Sequence, residues 1–244
     1  MSKIPFLLLL LFSSTPIAKH KTIVPLPSTE ALNKKNDTVF LLREKDSVHY
    51  HAVFVEKDRQ SQVYKNVLNF KMDNYDAEAY LRNYHAVKRR SAKPFRKYNL
   101  AGLPTEWLPL YSYRGSFYIY QPSEPGNTAR ITITDSTMVH WYMDGPTPQL
   151  LQEVIKLNNH TWQLKFRGYL QRAPDVKIII HIIDPINKIA VWEDVNAPIR
   201  YRYSLYVPRE NAAKFDLVVN YCLENKVAEF NFDSIDYVAL LKGH

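Results

Sequence analysis

Glycine is scarce in this chain of 244 residues: there are six, at positions 102, 115, 126, 145, 168 and 243. No two stand close enough to build a backbone cradle for phosphate, which excludes the G-x-G-x-x-G fingerprint, the P-loop and the G-x-S-x-G nucleophile elbow. Cysteine is scarcer still. Cys222 is alone, so neither an intramolecular disulfide nor a Cys-x-x-Cys motif can form. H-E-x-x-H is missing as well. No catalytic residue, cofactor or metal is assigned, and an enzyme with an unrecognised site ranks behind the binding readings given below. Apolar runs are short: Ile4 to Phe12 falls well below the roughly 20 residues that span a bilayer.

That run follows Lys3 and leads through Ser13-Ser14-Thr15 to Ala18, which is signal-peptide architecture. Residues 1–18 are thus expected to direct export to the periplasm or beyond, with a mature chain from about Lys19 and a linker over 19–37 rich in Pro and Asn. The formal net charge of +8 favours acidic partners. In an exported protein, anionic lipid, glycan or a carboxylate ligand rank ahead of nucleic acid.

Tyrosine is abundant, at 17, and the aromatic and β-branched usage favours strands. The organising stretch is Val176 to Asp194, two such runs joined by Asp184-Pro185-Ile186-Asn187, a hairpin turn by composition. The first run is apolar on both faces for most of its length. Similar strands are expected over Ser116–Gln121, Arg130–Thr134, Met138–Tyr142, Leu150–Leu157, Thr161–Arg167 and Arg200–Val207, with a type II turn at Pro125-Gly126. Together these make eight strands, the pattern of an antiparallel meander closed into a barrel or a sandwich.

Alternation predicts one inward face carrying Phe117 and Ile119, Ile131 and Ile133, Val139 and Trp141, Leu151 and Ile155, Trp162 and Phe166, Ile189 and Val191, and Tyr201, Tyr203 and Leu205. Phe215, Val218, Val219 and Cys222 fall at helical spacing, so Glu210–Leu223 is expected to be an amphipathic helix with Cys222 as a buried hydrophobe. Val227–Phe232 reads as a last strand. The fold class is mainly β, an eight-stranded antiparallel meander barrel over 115–244 with a C-terminal helix and strand, preceded over 38–114 by a small β-plus-helix region.

In that region Val39–Leu42, Tyr50–Val55 and Val63–Phe70 read as strands. Asp73 and Asn74 cap a helix with Ala77, Tyr80, Leu81 and Tyr84 on its apolar stripe. Its bases Lys88, Arg89 and Arg90 complement the helix dipole, and with Lys93, Arg96 and Lys97 they form a candidate anionic-surface site. His49 and His51 share one strand face, but lack the third ligand a metal site needs. His140 and His181 sit among apolar neighbours and read as structural.

Gly115-Ser116-Phe117 resembles the opening Gly-x-Trp of the lipocalin-type (calycin) barrels, with Phe in place of Trp, and the resemblance covers about residues 115–232. The stretch GSFYIYQPSEPGNTARITITDSTMVHW also resembles secreted lipocalin-like proteins of Bacteroides-type bacteria. The resemblance implies that Arg200 or Arg202 packs over the opening aromatic by a cation–π contact. Eight strands enclose about the volume of one small molecule, so the leading reading is a secreted binding protein that carries or senses one small apolar or amphipathic ligand in its barrel, with Trp141, Trp162, Phe166, Tyr201 and Tyr203, rings assigned inward parity, as the lining. The competing reading is an extracytoplasmic interaction module that binds glycan or a protein partner, its barrel filled by its own side chains.

Overall fold

The structure is a computed structural model, and it describes residues 39–45, 50–91, 96–124, 126, 128–167, 175–222 and 227–242. The expected leader and linker, and two residues of the expected turn at Pro125-Gly126, lie outside these. Strands β1 (Val39–Lys45) and β2 (Tyr50–Glu56) form an antiparallel pair. Helix α1 (Gln62–Val67) replaces the strand expected over Val63–Phe70. Ser61 caps α1 by accepting the Tyr64 amide at 3.2 Å, and Val63, Tyr64 and Val67 are buried at helical spacing. Helix α2 (Asn74–Arg90) begins at Asp73, whose Oδ1 accepts the Asp76 amide at 2.7 Å. Its buried residues are Ala79 and Val87, while Leu81 is 51% exposed, so the packed face is rotated from the expected stripe.

There follow β3 (Glu106–Pro109), β4 (Tyr111–Tyr113), β5 (Ser116–Gln121), β6 (Arg130–Ile133), β7 (Thr137–Tyr142), β8 (Gly145–Lys156) and β9 (Thr161–Phe166). Then come β10 (Val176–Asp184), β11 (Ile189–Asp194), a single 3-10 turn at Ile199–Tyr201, β12 (Tyr203–Pro208), the one-turn α3 (Arg209–Ala212), β13 (Asp216–Cys222) and α4 (Tyr237–Lys242). The strands sort into two sheets. Eight close into an antiparallel barrel in the order β10-β11-β12-β3-β6-β7-β8-β9, and five form a sheet in the order β1-β2-β13-β5-β4, parallel only between β13 and β5.

The barrel has the expected number of strands with one exchanged. Its run from β6 to β12 is a continuous meander, but β3 closes it, and Ser116–Gln121, the expected first strand, lies in the other sheet. β3 has four residues and ends in Pro109, too short for a period to be read. The helix expected over Glu210–Leu223 is instead α3 followed by β13, and Cys222 is half-buried at the end of that strand. In β13 the run Leu217–Tyr221 is buried throughout, as suits a strand covered on both faces. Val227–Phe232 forms no strand, and the chain there makes one bridge, Ser112 to Asp233, before α4. Strands from both expected regions interleave: β3 belongs to the barrel, and β5 and β13 to the sheet begun by β1 and β2.

The organising hairpin forms as read. Asp184 Oδ1 accepts the amides of Ile186 and Asn187, both at 2.9 Å, and Lys188 takes φ 61°. Register then fixes the inward face. Ile180 is the register partner of Trp162 on β9 and of Trp192 on β11, Ile178 is that of Leu164, and these five join Trp107, Ile131, Ile133, Leu151, Phe166 and Ala190 in one core. A bulge at Gln152 flips β8, so that Val154 packs inward and Ile155 turns out. The inward residues of β7 and β11 are Met138, Ala190 and Trp192 rather than Val139, Trp141, Ile189 and Val191. The reason is that the outward face is covered too: Val139, Val191, Leu205 and Val207 are all buried, so apolarity does not distinguish inside from outside.

Hairpin connectivity defines the two ends of the barrel. At one end are the turns at 134–136, 157–160 and 185–188; at the other are the turn at 143–144 and the connection 195–202. The first end is plugged. Tyr98, Leu100 and Leu103 pack into the core, the Tyr98 amide donates to Asp135 O at 2.7 Å, and its hydroxyl donates to the carbonyl of the bulged Gln152.

Candidate functional site

The end opposite the plug has a different lining. Following the register, Asp194 on β11 stands inward at its rim, and the inward positions below it include His140 on β7, Thr147 and Gln149 on β8, Trp192 on β11, and Ser204 and Tyr206 on β12. Five of these six below the rim keep some accessible surface, and Trp192 is buried beneath them, whereas Ile133, Leu164 and Ile180 toward the plug are sealed. An eight-stranded barrel has room for its own side chains and little more. Here the packed half is solid, and the other end presents a partly accessible polar lining, termed the cup.

Below its rim the cup is polar but uncharged. Burial pulls the His140 pKa down from 6.5 to about 4, so its imidazole is neutral at ordinary pH. Tyr206 keeps a little surface yet is enclosed deeply enough that burial, reinforced by the fields of Tyr111, Tyr142 and Tyr237, raises its phenol above the usual range. Two side-chain atoms on this lining, Gln149 Oε1 and Trp192 Nε1, are buried without a hydrogen-bond partner. Such atoms are costly, about 1–3 kcal/mol each, unless something fills the role.

Beside the cup the chain after Pro109 leaves the barrel for the other sheet, and a cleft of about 580 Å³ opens along that seam. Its walls include Tyr111, Ser204, Tyr206, Phe232, Asp233 and Tyr237. Tyr111 stacks on Phe232 at 4.6 Å and Tyr203 on Tyr237 at 5.6 Å, so the C-terminal segment is held by aromatic contacts. Tyr206 belongs to both spaces. At the plugged end a smaller cavity of about 280 Å³ lies beside the ion pair of Arg209 and Glu106 at 2.8 Å.

The residues expected to line a ligand site separate. Trp162 and Phe166 are inward and buried in the packed core, with Trp162 Nε1 unpartnered and Lys156 Nζ 5.3 Å from the ring. Trp141 faces outward: its Nε1 donates to Thr132 Oγ1 at 3.0 Å, and its ring meets Phe70 and the Arg130 guanidinium, the latter at 4.8 Å. Tyr201 is 64% exposed in the 3-10 turn, and Tyr203 has outward parity against α4. Sequence reasoning missed His140, Gln149, Trp192 and Tyr206 as lining. Their signal, polar groups alternating with apolar ones on an interior face, reads in a sequence as a solvent face.

Lys88, Arg89 and Arg90 are exposed in the last turn of α2, matching its dipole, and Arg96 and Lys97 are exposed, with Lys97 paired to Asp135 at 3.0 Å; Lys93 lies outside the described residues. Gly115-Ser116-Phe117 leads into β5, outside the barrel. Arg200 sits over Tyr201 at 4.6 Å and Arg202 reaches Ala197 O at 3.5 Å, so neither is seen over Phe117. His51 Nε2 meets Asn220 Oδ1 at 2.8 Å, and His49 lies outside the described residues. Among the described residues no cluster of His, Cys, Asp and Glu could hold a metal, and no helix is long and apolar enough to cross a membrane. No family model, curated protein or solved structure matches the chain.

Proposed function

We propose that this protein is a binding protein whose barrel takes one small, largely apolar ligand through the end opposite the plug. The observation that carries the reading is the pair of buried, unpartnered atoms, Gln149 Oε1 and Trp192 Nε1, on a lining whose other members are uncharged polar and aromatic side chains that stay partly accessible. A ligand with polar groups would satisfy them while its body displaces water from the rings of Trp192 and Tyr206. The solid core beneath limits how deep it goes. The lipocalin-like reading then rests on a closed eight-stranded barrel with one plugged end, and no longer on the Gly115-Ser116-Phe117 motif. Export belongs to the proposal through the leader-like start of the sequence, and intact-mass measurement of exported material should give a chain beginning near Lys19.

Titration of the purified protein with a panel of fatty alcohols, fatty acids and sterols, followed by tryptophan fluorescence, tests the reading. A saturable shift with at least one member supports it. A silent panel, with cooperative urea unfolding showing the protein intact, overturns it. It would leave the second reading, an interaction module, which the exposed Ile199 at 71% and Tyr201 at 64% beside the cleft favour.

A further inference from the structure

We infer that the part of the ligand held inside the barrel is electrically neutral and bears a hydroxyl, on an apolar body. This deepens the preceding proposal and rests on it. The six polar or amphipathic side chains of the cup, His140, Thr147, Gln149, Trp192, Ser204 and Tyr206, supply donors and acceptors but no formal charge at neutral pH. His140 stays unprotonated until about pH 4, and the Tyr206 phenol stays protonated.

The charged groups nearest the cup lie on the outer face of the barrel or at the rim of the cup. Arg130 lies on the outer face, over Trp141 and Phe70. His181 and Glu193 lie on the outer face together, 3.9 Å apart. At the rim Asp194 and Arg202 are register neighbours of opposite sign. Asp194, of inward parity, accepts the Asn196 amide at its Oδ1 at 3.1 Å, and Arg202 donates from Nη2 to Ala197 O while its Nε is buried without a partner, so the rim carries one charge of each sign and no net charge. A carboxylate or ammonium entering the cup below that rim would shed its water with no net charge there to offset its own, a cost of several kcal/mol.

The two unpartnered atoms specify the rest. Gln149 Oε1 accepts only, and Trp192 Nε1 donates only. A lining that asks for one donor and one acceptor is met by hydroxyl groups, which are both. A carbonyl serves Trp192 and leaves Gln149 unmet; a hydrocarbon serves neither.

Three probes with the same body separate the cases: 1-decanol, decanoate and decylammonium, titrated at pH 7.5 into the full chain and read by tryptophan fluorescence. Decanol is expected to bind at least tenfold more tightly than either ion. Decanoate or decylammonium binding as tightly as decanol, or more so, overturns neutrality and leaves the cup standing. Binding by none of the three, in protein that unfolds cooperatively in urea, removes the cup and this inference with it. Gln149→Leu is expected to weaken decanol binding about fivefold or more without lowering the urea midpoint, because it removes an unpaired acceptor. Unchanged decanol affinity in that variant overturns the assignment of Gln149.

Discussion

Trp192 and Tyr206 pack ring against ring across the β11–β12 pair, with centroids 4.6 Å apart and planes at 41°. The contact marks the level at which the sealed core gives way to the partly accessible lining. Below it Trp192 meets Trp107 edge-on at 5.3 Å inside the sealed core, and beside it Tyr206 lines the cleft. The two tryptophans differ in one respect: Trp107 Nε1 donates to Pro104 O at 2.8 Å, and Trp192 Nε1 has no partner.

That difference predicts unequal costs for one substitution. Trp107→Phe loses ring volume and strands a carbonyl, whereas Trp192→Phe loses similar volume but also removes an unsatisfied donor. Urea unfolding should show Trp107→Phe the more destabilised by about 1–2 kcal/mol. Equal losses would mean that the Trp192 N–H is already satisfied in solution.

The plug is held by a hydroxyl on a bulge. Because Gln152 is the extra residue of β8, its carbonyl is free of the ladder, and Tyr98 donates to it while the ring packs on the core. Tyr98→Phe should cost about 1–3 kcal/mol, the desolvation of an orphaned acceptor, with the ring contacts kept. Amide exchange should rise over residues 98–103 before it rises in β9 or β10. A variant as stable as the parent would show that water replaces the hydroxyl.

In the five-stranded sheet, Asn220 is 2% exposed and joins three parts of the chain. Its Oδ1 meets His51 Nε2 at 2.8 Å, and its Nδ2 donates to the Tyr120 hydroxyl and to Ala228 O, both at 3.1 Å. Tyr120 in turn donates to Glu229 and accepts the Phe230 amide at 3.0 Å, so segment 228–230 is tied down by this network rather than by a ladder. Burial, and then the bond to Glu229, raises the Tyr120 pKa, which keeps it a donor. Asn220→Leu should cost about 3 kcal/mol or more. Hydrogen exchange should locate the loosening at 228–230, and protection unchanged there would show that the aromatic contacts of Phe230 and Phe232 suffice.

How much of this was legible depends on whether one face of an element was wet. The Asp184 hairpin, the Asp73 cap and the strands from Arg130 to Phe166 were readable, since turn chemistry and length are local. Inward and outward could be told apart on β6 and β9, where Lys165 and Arg167 alternate with Trp162, Leu164 and Phe166. On β7, β11 and β12 they could not, since outer residues such as Val139, Val191 and Leu205 are buried as deeply as the core. For the same reason Leu217–Tyr221, buried on both faces, mimicked a helical stripe. The cup was invisible because a polar residue facing a cavity and one facing solvent look alike until register is known.

His140 supplies the pH dependence. Its pKa is about 4 in the folded protein against 6.5 unfolded, with burial as the cause. Above pH 6.5 both states are neutral and the group contributes nothing. As pH falls below 6.5 the unfolded chain takes up a proton that the folded one refuses, so stability is lost progressively down to about pH 4, by up to about 3 kcal/mol. His181, also depressed by burial but opposed by Glu193, adds a loss of the same sign. Asp135 and Asp184, whose pKa values lie below 3.8, act only at lower pH, outside this window. Urea unfolding at pH 7.5 and 4.5 should show the parent weakened at the lower pH. His140→Gln, uncharged throughout, should remove most of that weakening, and a ligand that fills the cup should deepen it by adding to the burial of His140. An unchanged pH dependence in His140→Gln would place the titrating group elsewhere and show that water hydrates the imidazole in an open cup.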